Sequence, residues 1–383
     1  MGRTVRRFLI PGLLVLLAIP MTSLLATEEN GMIAELKLFS KALGVIQEAY
    51  VGDVTPRGLL YKAVQGMLGS LDRFSEFFDP ERFKLLEIAI KGEYAGIGAI
   101  LQIVQEQVVI RGVEPGKPAE KAGLLPGDIL LKIDGVSLKV KTVPDVAALL
   151  RGKEKTQVVL TIQRGPGGKI FDVKILREKI EMQAIPDSRM IGKSLAYVRL
   201  AAWQEHTSTQ ADAALEELKK KGMKALIIDL RNNDGGLLTQ AVALSERFLP
   251  KGKKIVSVQS KIEEQRKEYF VAEKGKYLST ELVILVNERS ASASEVFSGA
   301  MQDHHRAVLV GVQTFGKGSV QSVIPLDDVT AMKLTTARYA TPSGRVIDQI
   351  GLTPDRVVAN GPEGTPGADR QILEAIAVLK RYM

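Results

Sequence analysis

The sequence predicts a multidomain α/β (α+β) protein, and three patterns carry that prediction. Between residues 195 and 340, short apolar runs alternate with helical periodicities, as an α/β core requires. Upstream, residues 31–90 read as mostly helical. Between the two, residues 91–179 form a separate unit of glycine-punctuated strands with one short helix. At 383 residues the chain can hold two or three domains with a sizeable core.

Composition narrows the chemistry. A chain that is 45% hydrophobic and 25% charged belongs with globular proteins, not disordered ones. It has no cysteine, which excludes a thiol nucleophile, a disulfide framework and cysteine metal sites. The three histidines, His206, His304 and His305, leave little scope for a metal centre, and no metal or other cofactor is expected. The net charge of +8 comes without a basic stripe or a nucleic-acid motif, so it reads as a solvated basic surface.

Taken in order, residues 1–26 open with Arg3, Arg6 and Arg7 and continue into an apolar run from Phe8 to Pro20. That is the layout of an export signal, and the run is also long enough to stay as a membrane anchor. In the helical region, Ile33, Leu36, Phe39, Leu43, Ile46 and Tyr50 make an amphipathic stripe, and a second helix runs from Pro56 to Leu71. Phe74, Phe77 and Phe78 read as packing residues. In the next unit, Gly96-Ile97-Gly98-Ala99 leads into a strand from Ile100 to Val104. Ala122-Gly123-Leu124, Pro126-Gly127-Asp128, a short helix Asp145–Leu150 and a strand Gln157–Arg164 follow. Arg151, just past the short helix, suits either a bidentate carboxylate contact or an ordinary helix C-terminus.

The core, residues 180–360, concentrates the chemistry. Strands are expected at Leu195–Leu200, Ala225–Leu230, Leu282–Val286 and Ala307–Val312. Helices are expected at Thr209–Lys221, Leu237–Leu249 and Glu295–Asp303, and a hairpin over Lys254–Val271. Gly235 and Gly236 sit at a strand-to-helix junction with free amides behind them. Ser290-Ala291-Ser292-Ala293-Ser294-Glu295 precedes a helix, where a serine oxygen would face open amides. The same Ser292…Glu295 spacing is also a capping box, which serves any helix start. Lys317 lies in the glycine-rich turn Thr314–Gly318 and could take a serine proton if burial lowers its pKa. Gln321, four residues on, would share a face with Lys317 in an extended chain. Residues 361–383 are expected to comprise a Gly/Pro-rich flexible segment and a C-terminal helix from Ile372 to Arg381.

These motifs resemble the carboxyl-terminal processing, or tail-specific, proteases. The resemblance rests on Ser290–Glu295 and Thr314–Gln321, on Asp229–Gly236 upstream and on Tyr339–Arg345 downstream, and covers roughly Gly31 to Asn360. It implies a crotonase-like core of ββα units, with Ser292 as nucleophile, Lys317 as base and Gln321 orienting the lysine. It makes the amide of Ala293 and that of Gly235 or Gly236 the oxyanion donors. Residues 91–179 resemble a PDZ domain, implying that Gly96, Ile97, Gly98, Ala99 and Arg151 meet a peptide C-terminus.

The expected function is therefore an exported serine endopeptidase of the cell envelope, acting on protein substrates with apolar C-termini. It would be periplasmic or otherwise extracytoplasmic, anchored to the inner membrane if residues 8–26 are retained. The resemblance also implies a homodimer or higher oligomer, with room for an adaptor or activating protein. The alternative from another class is a catalytically silent PDZ scaffold. A serine–histidine hydrolase fares worse, because His304 and His305 lie beyond the helix after Ser292, roughly 18 Å away at ~1.5 Å per residue.

Overall fold

The computed structural model describes residues 29–139, 142–165, 167–359 and 369–381. Residues 1–26 and most of the Gly/Pro-rich tail lie outside the described residues. The chain forms two compact units. One comprises the residues up to Glu87 with Asp187–Trp203 and Ala211–Met383; the other comprises Ile88–Pro186 and Gln204–Gln210.

The larger unit is built on a six-stranded sheet. Asp187–Ile191 pairs antiparallel with Leu195–Arg199. Ala225–Asp229, Glu281–Val286, Val308–Gly311 and Arg356–Val357 then follow side by side, all parallel. Central parallel strands are covered on both faces, which is why they read as continuous apolar runs. All five residues of Ala225–Asp229 are buried. One face packs on the C-terminal helix Arg370–Lys380 through Ala375, Val378 and Leu379. Cutting a fully buried leucine such as Leu285 to alanine costs about 2–5 kcal/mol. Aromatic contacts tie in the helix Ala293–Asp303, where Phe297 meets Trp203 at 5.8 Å and Phe248 at 6.1 Å.

A second sheet in this unit was only partly legible. The expected hairpin appears as Lys254–Ser260 with Lys267–Phe270. It joins a hairpin of Ser319–Pro325 with Ala331–Ala340 and the short strand Glu76–Phe78. The helical region forms Glu29–Ala49, Pro56–Gly69 and Pro80–Lys91. Phe77 and Phe78 are buried, as packing residues should be.

The smaller unit carries a sheet ordered Ala99–Val104, Gln107–Val113, Ile129–Ile133, Gln157–Gln163 and Ile170–Leu176. Its core gathers Ile110, Leu124, Val146, Leu160 and Ile162. The helix Val143–Leu150 is opened by a Thr142–Asp145 capping box. Asp128, 1% exposed, is held by Arg164 at 2.8 Å. Among the described residues no helix is long and apolar enough to cross a membrane.

Candidate active site

Three motifs of the core stand at the carboxyl ends of three adjacent parallel strands, where open α/β sheets present their ligand sites. Asp229–Gly236 follows Ala225–Asp229, the serine cluster follows Glu281–Val286, and Lys317 follows Val308–Gly311.

The structure separates the three serines. Ser290 is fully buried and donates to the Leu230 carbonyl at 2.9 Å. Ser294 is fully buried, donates to the Asn233 carbonyl at 3.0 Å and accepts from Trp203 Nε1 at 2.9 Å. Ser292 alone is partly open, and its φ of 56° lies in the left-handed region that side chains avoid. Ala293 is the first residue of the following helix, so its N–H has no intrahelical acceptor.

Gly235 fits this turn because nothing larger does. A Cβ there would lie 2.7 Å from the Ala291 carbonyl and 2.8 Å from Ser292 Cβ, and its φ is +103°. Its N–H donates to Asn233 Oδ1 at 3.0 Å. Gly236 is backed onto Trp203, but the bridge there uses the Gly235 carbonyl and the Leu237 amide, not the Gly236 amide. Asn233, fully buried, knits the two turns: its Nδ2 donates to the Leu200 carbonyl at 2.8 Å, and its carbonyl accepts the Ala291 N–H at 3.1 Å.

Glu295 does more than cap. One carboxylate oxygen accepts the N–H groups of Ser292 and Lys317, both at 2.9 Å. The other accepts the Gly316 N–H at 2.8 Å and the Thr314 hydroxyl at 2.5 Å. A single fully buried carboxylate thus fixes the backbones on both sides of the site. Burial pushes its pKa up, against the pull of those four donors. The Tyr339 hydroxyl adds a second tie, reaching the carbonyls of Ser292 at 3.1 Å and of Lys317. The rest of the downstream motif secures the helix end, since Asp303 accepts the Ser343 N–H at 2.8 Å and pairs with Arg345.

Lys317 is half-buried, and its amine lies 4.8 Å from the centre of the Phe74 ring. Burial pushes its pKa down, and the nearby charge of Lys333 adds to that. Gln321 departs from expectation. Its amide donates to Ser319 Oγ at 2.9 Å and Thr335 Oγ1 at 3.3 Å, and no hydrogen bond joins it to Lys317 among the described residues. The reason is local: Lys317 lies before the strand Ser319–Pro325, so the alternation of that strand does not relate the two side chains. His304 caps the far end of the helix after Ser292, with Nε2 2.7 Å from the Lys254 carbonyl. Among the described residues no cluster suits a metal ion.

In the smaller unit, Tyr94, Gly96, Ile97, Gly98, Ala99 and Arg151 line a cavity of about 180 Å³. The strand Ala99–Val104 at its side is an edge strand with free backbone groups. The Arg151 guanidinium stacks 4.9 Å from the Tyr94 ring centre, and its Nε is buried without a hydrogen-bond partner.

Comparison with known proteins fits this geometry. The model of peptidase family S41 matches residues 194–358, and a PDZ domain model matches residues 109–164. A carboxy-terminal-processing protease of Bartonella bacilliformis is 37% identical over 355 residues, 91% of this chain and 80% of that protein. The chain belongs to the carboxy-terminal-processing proteases. A Staphylococcus aureus relative, "Probable CtpA-like serine protease", is 38% identical over 294 residues, 76% of this chain and 58% of that one. A solved structure from Bacteroides fragilis assigned to the S41 proteases superposes with a TM-score of 0.52 at 16% identity, covering 89% of this chain and 97% of that one. This member of the carboxy-terminal-processing proteases is thus a serine peptidase with a PDZ domain, on a mixed α/β fold with a helical N-terminal region.

Proposed function

We propose that the chain is an exported endopeptidase that cleaves protein substrates by a serine–lysine mechanism after its PDZ unit engages their C-terminal tails. The observation that carries this reading is the Ser292 turn, the one serine of the cluster left open, pressed against Gly235 and bound through Glu295 to the backbone of Lys317. In the proposed reaction Lys317 Nζ, its pKa lowered by burial, takes the proton of Ser292 Oγ as that oxygen attacks the scissile carbonyl. The amides of Ala293 and of Gly236 hold the developing oxyanion, since the Gly235 N–H is already given to Asn233. The lysine then protonates the leaving amine, an acyl-enzyme remains, and water releases it. Gln321 acts at one remove from the lysine, through Ser319 and Thr335, to which its own amide is committed.

In the same reading the edge strand Ala99–Val104 takes the substrate tail as an added strand, and the Gly96–Ala99 loop and Arg151 receive its carboxylate. The arginine at residues 3, 6 and 7 and the apolar run after it support export and an extracytoplasmic site of action. The exposed apolar residues of the first helix, such as Leu36, Leu38 and Phe39, support assembly into a dimer or larger oligomer. The deciding experiment is cleavage of an unstructured protein with an apolar C-terminus by wild type, Ser292→Ala and Lys317→Ala. Cleavage by wild type alone is expected. Full activity of Lys317→Ala would overturn the dyad, and tail binding without cleavage would favour a scaffold.

A further inference from the structure

The ring beside the Lys317 amine comes from far upstream, and its placement is built. After the helix Pro56–Gly69, Asp72 accepts the N–H groups of Phe74 at 2.7 Å and Ser75 at 2.9 Å, and the Ser75 hydroxyl at 2.9 Å. Ser75 Oγ in turn accepts the Thr335 N–H at 3.1 Å. Glu76–Phe78 then pairs antiparallel with Ala331, Met332 and Lys333. This clasp fixes the backbone at Phe74, whose ring lies at the lysine end of the site, and Thr335, which the clasp grips, also accepts from Gln321.

We propose that Phe74, supplied by the helical N-terminal region, is a positioning residue for the base: its ring is the apolar wall that keeps water from the Lys317 amine. The proposal rests on the reading of Lys317 as the base. An aromatic ring acts on an amine in two opposed ways. It excludes water, which favours the neutral form, and its negative face attracts an ammonium, which favours the charged form. The net push on Lys317 is downward, with burial its largest cause, and the Phe74 ring, 4.8 Å from the amine, is part of what buries it. The charged groups facing the amine are Lys333 from the neighbouring strand, Glu295 from the helix, Asp234 from the glycine turn and Glu76 from the short strand. Arg73 lies 4.7 Å from the same ring. Of these, the Lys333 charge is drawn off by Glu76, with which it pairs. Lysine–lysine repulsion is thereby weakened, and the proposal assigns the larger share to the apolar wall.

The test uses the full chain and two readouts. The first is the pH dependence of kcat/KM on an unstructured protein with an apolar C-terminus. The second is competitive acetylation of Lys317 by acetic anhydride across pH, read by peptide mass spectrometry in a Ser292→Ala background, which needs no hydrolysis. Phe74→Ala is expected to move the Lys317 midpoint up by about one pH unit, lower kcat/KM at pH 7 about tenfold, and regain it at alkaline pH. Phe74→Gln, of similar reach but hydrated, must move the midpoint the same way; it stands in if the alanine variant does not fold. Phe74→Leu should restore the wild-type midpoint. An unmoved midpoint, with activity lowered equally at every pH, would leave Phe74 a packing residue and overturn the proposal. A leucine variant that behaves as alanine would also overturn it. If the midpoint moves but wild type hydrolyses nothing, the wall stands and the catalytic reading of Lys317 falls.

Discussion

The Ser292 turn and the PDZ cavity both offer backbone to a polypeptide, yet one is finished and the other is not. Around Ser292, Glu295 accepts four hydrogen bonds, Asn233 joins two turns, and Ser290 and Ser294 are fully partnered. Around the cavity the walls are largely apolar, and Arg151 keeps a buried Nε with no acceptor among the described residues. Buried donors without acceptors cost free energy, and in the proposed function a peptide carboxylate is the acceptor that Arg151 meets. The contrast teaches that the two regions are built differently: a turn braced by many hydrogen bonds, and a cavity with a donor to offer.

The comparison breaks most visibly at Glu295. Glu295→Ala strands three N–H groups and a hydroxyl, of which the buried Gly316 N–H and Thr314 hydroxyl each cost about 1–3 kcal/mol when orphaned. The expected result is loss of hydrolysis together with a Tm several degrees lower by calorimetry. Near-normal Tm and activity would mean that water replaces the carboxylate, and that the turn is less finished than it looks.

Gly235→Ala probes the same turn from the other side. The added methyl meets the Ala291 carbonyl and Ser292 Cβ at under 3 Å, at a backbone angle alanine avoids. A drop in kcat of at least about tenfold with KM little changed is expected, because the damage falls on the reacting geometry and not on tail capture. At the cavity the split reverses. Arg151→Ala should weaken binding of a tailed peptide about tenfold by calorimetry or anisotropy, while a tail-amidated peptide binds both forms equally. Equal loss for both peptides would show that Arg151 only packs on Tyr94.

The smallest effect concerns the frame of the PDZ unit. Burial pushes the Asp128 carboxyl up, but the hydrogen bonds from Arg164 and the Leu125 N–H, with the Arg164 charge, outweigh it and hold it below the usual carboxylate range. A folded-state pKa below the unfolded one adds stability that is present above the unfolded value, about 3.9, and lost as pH falls through the folded value. Asp128→Asn should therefore lower Tm at pH 7, and the gap to wild type should close as pH falls below about 4. A gap that persists in acid would assign the effect to packing.

Much of this was legible in the chain. The serine cluster, the glycine pair and the lysine turn announce themselves because each is a short segment with its own punctuation, and the parallel strands because burial on both faces makes them continuously apolar. What joins them was not. The capping half of Glu295 is a local spacing, but its other oxygen reaches Thr314 and Gly316, a contact that no periodicity encodes. Tyr339 lay within a recognised motif without a role, since its task is to touch two carbonyls distant in sequence. Phe74 read as packing because an aromatic beside a lysine and an aromatic beside a leucine look alike until the fold brings the lysine. Gln321 was placed by counting along an extended chain that begins two residues after Lys317.

The positive φ of Ser292 has a consequence for anyone who evolves this protein. Glycine sits at ease where serine is strained, so Ser292→Gly should relieve about 1 kcal/mol of backbone cost while deleting the proposed nucleophile. Directed evolution that selects for heat resistance alone would then have a one-step path to an inert chain, and any such campaign on this scaffold must select for turnover at the same time.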